Sequence, residues 1–177
     1  MKNIIYLLSI ICCISFNNCS AQNIVQHILD PSSDKFTGMW KWGGATNGVT
    51  LIMKKEYNVH LLGNNDNTIA DVIIGFHKIN KNGQITEDHT IFSNTNFADK
   101  KNSFVGMTDI HTPNPNELRI WMSHKNKNIE LEILYIDLTH IKIVGVKNQE
   151  GARFIKPGQA PTDWSIDIPN NIILTKQ

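Results

Sequence analysis

Beyond position 19 the chain contains no cysteine, since Cys12, Cys13 and Cys19 are all it has. Disulfides, thiol catalysis and thiolate metal sites are therefore excluded from the body of the chain. No apolar run approaches the roughly 20 residues that a membrane-crossing helix needs. Charge of one sign is also lacking. The formal net charge is +1, and Lys54-Lys55, Lys81, Lys100-Lys101, Lys125 and Lys127 sit near turn signals rather than along one stripe. Nucleic-acid binding has no electrostatic footprint in such a chain. Helical periodicity of useful length is missing, and so is any internal repeat. There is no HExxH pair, P-loop, dinucleotide fingerprint or nucleophile elbow. These absences predict a non-enzymatic protein with no catalytic residues, no cofactor and no metal site.

What is present begins with an export signal. Lys2 precedes an apolar run from Ile4 to Phe16, the layout of a secretory signal peptide. Cys19 and Ala21 supply small residues at −3 and −1, which predicts cleavage after Ala21 and a signal spanning 1–21. A second route lipidates Cys19, although Phe16 and Asn18 depart from the usual lipobox. Membrane contact is expected only on that second route. The remainder, 22–177, has the length of one domain and is long enough to hold a core without staples. The expected location is the periplasm, the outer surface or the exterior.

Within 22–177 short runs of alternating apolar and polar residues are separated by turn signals. Asn47-Gly48 and Asn82-Gly83 are hairpin dipeptides, because a type I′ turn needs positive φ at both central positions. Strands are predicted over 38–42, 49–56, 58–62, 68–79, 84–92, 103–110, 117–124, 129–136 and 139–146. Ile129, Leu131, Ile133 and Tyr135 share one face, opposite Glu130 and Glu132. A hairpin near Asp137-Leu138-Thr139, or one long bulged strand, continues that pattern to Ile141 and Ile143. Gly75 inside a strand run marks a bulge or bend. Ile24 to Leu29 is read as one short helical turn before Pro31. Pro157, Gly158, Pro161 and Pro169 punctuate the end, yet Trp164, Ile166, Ile168 and Leu174 are too apolar for a free tail. The fold class is thus all-β: one antiparallel barrel or strongly curved sheet of about eight or nine strands. Its core spans 36–150, and 151–177 forms a C-terminal strap.

Several polar groupings are candidate sites. Asp109 and His111 lie two apart on one strand, where a carboxylate beside an imidazole is half of a catalytic or metal site. Glu130 and Glu132 are separated by about 7 Å of strand rise, a glycosidase-like spacing, but their neighbours place them toward water. Glu87-Asp88-His89 closes a strand in the same polar manner. Asn64-Asn65-Asp66-Asn67-Thr68 with Asp71 gathers oxygen ligands, but without the glycine and the bidentate glutamate of a calcium loop. Each reads more simply as solvated surface or turn. The aromatics are the better lead. Trp40 and Trp42 point to one face, and with Trp121 they are the expected ligand-binding residues.

Phe36-Thr37-Gly38-Met39-Trp40 resembles the Gly-x-Trp on the first strand of lipocalin-like barrels. That resemblance implies a short N-terminal turn and a tryptophan plugging one barrel end. A wider resemblance runs through Phe36 to Trp42, Thr50 to Lys55, Ile74-Gly75-Phe76-His77-Lys78, Asn82-Gly83 and Ile168-Pro169 to Lys176-Gln177. In these pieces the chain is similar to an uncharacterised family of exported small β-domain proteins from Bacteroidetes, which implies export and a single β domain. Two roles stay open. One is a binder holding a small apolar ligand in the barrel, which needs an interior its own side chains leave unfilled. The other is a structural or protein-interaction module, which needs a filled core with an exposed patch or sheet edge.

Overall fold

A computed structural model of the chain describes residues 25–61, 67–108, 114–149, 158 and 160–177. The expected signal segment with Cys19, the Asn64–Asp66 part of the oxygen-rich loop, and Asp109 with His111 lie outside the described residues. The ten strands are β1 (Gln26–Ile28), β2 (Gly38–Gly43), β3 (Gly48–His60), β4 (Thr68–Lys81) and β5 (Gln84–Asp88), then β6 (Phe104–Met107), β7 (Glu117–His124), β8 (Lys127–Asp137), β9 (His140–Asn148) and β10 (Ile172–Lys176). Eight of them form a closed antiparallel meander in the order β4-β3-β2-β10-β9-β8-β7-β6, with β6 returning to β4. The two extra strands, β1 and β5, both attach to β4.

Closure follows from one long strand. β3 runs along one edge of β4, while the other edge takes three partners in turn. Those are β1 at Thr68–Ala70, β6 at Ile73–Gly75 and β5 at Lys78–Lys81. β4 is also buried on both faces, which is why Val72-Ile73-Ile74-Gly75-Phe76 reads as a continuous apolar run rather than an alternation. Inside, Ile73 and Ile79 join Trp40, Leu51, Met53, Phe104, Ile120, Leu131, Ile143 and Leu174 in one packed cluster. Outside, Val72, Ile74 and Phe76 lie under Phe92 and Phe97. Gly75 is required by packing: a Cβ there would fall 2.0 Å from Phe104 Cζ, so the ring occupies the space a side chain would take.

The two ends are closed differently. At the first, a 3-10 turn over Pro31–Phe36 carries fully buried Phe36 beneath the barrel. Trp40 Nε1 donates to the Phe36 carbonyl at 2.7 Å, and Tyr135 meets Phe36 edge-on at 5.8 Å. Asp30 ties the turn to β6's end by accepting from the Thr108 N–H (2.9 Å) and hydroxyl (2.8 Å). Gly38 has φ +120°, and a Cβ there would fall 2.7 Å from Lys176 Cε. Its bareness lets the Lys176 ammonium lie 5.0 Å from the Trp40 ring, within cation–π range. At the second end, residues 163–168 of the strap cross the opening, with Ile168 buried and Ile166 packed on the core.

The structure revises five expectations, the first being the strand predicted over 84–92, which ends at Asp88 and gives way to a 3-10 turn over Thr90–Phe92. Gln26–Ile28 is a strand, because the start of β4 leaves an edge to be paired. The segments 49–56 and 58–62 are one strand whose register shifts between Glu56 and Val59, with Asn58 at φ +55° absorbing the kink. The apolar end of the strap, Ile172–Lys176, is the eighth barrel strand and pairs with both β9 and β2. Of the two Asn-Gly signals, Asn82-Gly83 makes the two-residue turn (φ +52° and +78°), while Asn47 ends a longer loop. The hairpin expected at Asp137–Thr139 is present.

Candidate functional site

The polar centre of the molecule sits where β4 changes partner from β5 to β6. The last β5 pair is Lys78↔Asp88 and the first β6 pair is Gly75↔Phe104, which leaves His77 at the seam. His77 points into the barrel and is fully buried. A buried backbone group left out of a ladder needs another partner. Here the His77 N–H donates to Ser103 Oγ at 3.1 Å, and the His77 carbonyl accepts from the His89 N–H at 2.8 Å. The Ser103 N–H in turn donates to the Gly75 carbonyl at 2.9 Å. The seam therefore stacks His89 against His77, with ring centroids 4.7 Å apart. Glu87, two residues before His89, lies near the end of β5, and the chain leaves the strand at His89.

Glu87 is the hub. Its Oε2 lies 3.1 Å from His77 Nε2 and 2.5 Å from His124 Nδ1, and its Oε1 accepts from the Lys125 N–H at 2.8 Å. His124 is fixed in tautomer: Nε2 accepts from the Asp167 N–H at 3.2 Å, so Nδ1 carries the hydrogen that Glu87 accepts. Burial opposes ionisation of Glu87, but the bonds from His124, His77 and the Lys125 N–H outweigh it. They hold its carboxyl well below the usual carboxylate range. His89 is held below its ordinary value, first by burial and then by the neighbouring His77, with Glu87 and Asp88 opposing. Nitrogen and oxygen atoms of His77, Glu87 and His89 all lie within 4.8 Å of one another, the spacing of a metal-ligand set.

The strap closes over this cluster through lysines. Lys127, 1% exposed, donates to the carbonyls of Asp163 (2.7 Å) and Ser165 (2.5 Å). Lys125 pairs with Asp167 at 2.8 Å and Asp163 at 3.2 Å, and Lys81 with Asp167 at 2.5 Å. The turn between β7 and β8 that presents Lys125 and Lys127 has Lys125 and Asn126 at φ +49° and +59°, a type I′ geometry built without glycine.

Two grooves flank the nearby turn between β2 and β3. One, of about 320 Å³, lies at the strapped mouth between Trp42, Asn80, Lys81, Ile166, Asp167 and Pro169. The other, of about 510 Å³, lies on the outer face between Met39, Lys41, Trp42, Ile52, Lys78 and Thr90. The expected tryptophans do not converge. Trp40 is core, Trp42 lines both grooves, and Trp121 faces outward on β7, four strands around the barrel from β2 and 38% exposed.

A family model described as "Family of unknown function (DUF6705)" matches residues 1–177. The chain belongs to that family. No curated protein and no solved structure matches it. Membership in DUF6705 carries no activity with it, so the side chains themselves are the source of any functional reading. For this DUF6705 member, Glu130 and Glu132 do share the outer face, where Lys147 bridges them at 2.8 and 3.1 Å. Glu132 keeps the expected exposure to water, whereas Glu130 is buried against Lys147 and Gln149, contrary to the expectation that both face solvent. Sequence reasoning passed over His77, Glu87, His89 and His124 as a group. The available signal was that His77 and His124 fall on inward positions of apolar strands, where an imidazole must find a partner.

Proposed function

We propose that this is an exported, non-enzymatic binding protein that takes a small amphipathic anion in the outer groove beside Trp42. The observation that carries this reading is the lining of that groove. Met39 and Ile52 give it an apolar wall beside Trp42, and Lys41 and Lys78 line it, with the Lys78 ammonium 3.0 Å from the Asp88 carboxylate. Thr50, Asn80 and Thr90 add hydrogen-bonding groups. Its volume falls in the range of small-molecule sites, about 300–1,000 Å³. The described interior is packed with the protein's own side chains, which moves recognition from the inside of the barrel to its outer face. The charged start and short apolar run of 1–21 support export.

The test expresses the whole gene in an exporting bacterial host and purifies the processed chain. Its mass should begin at Gln22; a chain that retains 1–21 in the cytoplasm overturns the export reading. Anilinonaphthalene sulfonate, an aromatic anion, is then titrated calorimetrically. Saturable micromolar binding is expected, weakened at least about tenfold by Trp42→Ala or Lys41→Glu and unchanged by Trp121→Ala. No saturable binding, or binding indifferent to Trp42→Ala, overturns the groove. One further observation favours a protein partner instead: among the described residues the outer edge of β5 pairs with no strand, and Ile85 and Ile91 nearby are 58% and 72% exposed. A discrete dimer in native mass spectrometry would support that alternative.

A further inference from the structure

We infer that His77, Glu87 and His89 form a site for one divalent transition-metal ion of the zinc class, beneath the strapped end of the barrel. The three side chains come from the β4–β5 hairpin and the residue after it, so a single local fold assembles them. Their ligand atoms already lie within 4.8 Å of one another. His77 Nε2 and Glu87 Oε2 are 3.1 Å apart, close to the roughly 3.3 Å edge of a tetrahedron with zinc–ligand bonds of about 2.0–2.1 Å. His89 is the mobile member. Among the described residues its ring makes no hydrogen bond to the protein, so it can close on an ion without breaking one.

The outer shell is built as metal sites build it. Ser103 Oγ lies 2.8 Å from His77 Nδ1 and 3.2 Å from the Gly75 carbonyl. When the serine hydroxyl turns to that carbonyl, it accepts from Nδ1–H, and the Nε2 lone pair faces Glu87. In that arrangement the Nε2 lone pair and a carboxylate oxygen face each other 3.1 Å apart, a pair of donors that one metal ion can bridge with His89 as the third ligand. His124 is a positioning residue rather than a ligand, because both its nitrogens are committed to Glu87 and the Asp167 N–H. It and the Lys125 N–H orient the carboxylate. With two imidazoles, one carboxylate and no thiolate, the donor set suits zinc, copper or nickel over calcium or magnesium. His89 is half-buried, which leaves the fourth position on the solvent side for water.

This site is separate from the groove beside Trp42, and its test is independent. The processed chain, carrying no histidine tag, is stripped with chelator and titrated with zinc chloride. One equivalent should bind. His89→Ala should weaken binding beyond the 10–100-fold typical of losing an outer-shell partner, with the metal-free thermal midpoint unchanged. His140→Ala, at the opposite end of the barrel, should leave affinity unchanged. Ring ¹⁵N shifts of the unmutated protein give a readout that needs no variant: zinc should move the signals of His77 and His89. Absence of stoichiometric binding, wild-type affinity in His89→Ala, or shifts confined to His27, His60 and His140 would overturn the site.

Discussion

The two ends of the barrel solve one problem with opposite materials. The end beneath β2 is plugged with carbon: Phe36 and Trp40 are fully buried, with Tyr135 packed on them. The strapped end adds charge to its apolar contacts at Ile166 and Ile168: Lys127, Lys125 and Lys81 hold Asp163, Ser165 and Asp167 across the opening, and His77, Glu87 and His124 fill the space below. Apolar burial is non-directional and indifferent to pH. A buried polar cluster holds only while each member keeps its partner and its protonation state. The apolar end is therefore the stable floor of the fold, and the strapped end is the part that can respond to conditions.

The largest effect expected from breaking this contrast is at the floor. Trp40→Ala should lower the unfolding free energy by about 3–5 kcal/mol, as large-to-small core changes do, measured by urea denaturation. Next comes the strap. Lys127→Met keeps the stem but leaves the Asp163 and Ser165 carbonyls without their charged donor. It should cost about 1.5–3 kcal/mol and expose 160–171 to limited proteolysis before the barrel unfolds. The acid response should be gentler and confined to the strapped end. Glu87 lies below its ordinary 4.5 in the folded chain, so its contribution is complete above that pH and is lost as pH falls toward the folded value. His89 acts in the same direction one step earlier, since the unfolded chain takes up its proton first as pH drops below 6.5. Urea midpoints from pH 7 to pH 3 should decline in that order, and Glu87→Gln should flatten the lower part of the decline. The smallest effect is at the rim of the floor. Asp34→Asn removes the exposed partner of Lys55 and should change stability by at most about 1 kcal/mol.

Much of the barrel was legible because alternation reports a face. Strand 117–124 agrees with β7 residue for residue, since every second side chain there is buried. The same rule placed Trp40 and Trp42 on one face correctly. It could not show that one lies deep in the barrel and the other at its rim, because depth is set by closure and not by periodicity. Nor could it join Ile172–Lys176 to the barrel. Pro169 shortly before that segment argued for an irregular strap, and its partners β2 and β9 are remote in sequence. The histidine cluster was hidden for a related reason. Glu87 and His124 are 37 residues apart, and only the change of partner along β4 brings them together. Asn58 shows a subtler gap: its positive φ turns an apparent hairpin into a bulge within one strand.

The barrel closes between β2 and β10, so its first and last staves are neighbours in space and distant along the chain. Each barrel strand after β2, up to β9, can pair with a barrel strand already formed, β6 returning to β4, yet the ring stays open until Ile172–Lys176 is in place. A nick or early stop ahead of Ile172 would therefore leave an intact meander with two raw margins, one on β2 and one on β9. Each would present a row of unpaired backbone groups and a slot shaped for a strand. A short peptide carrying Ile172–Lys176 could fill that slot, and so could the same margin of another truncated copy, which would turn a closed barrel into a polymerising unit.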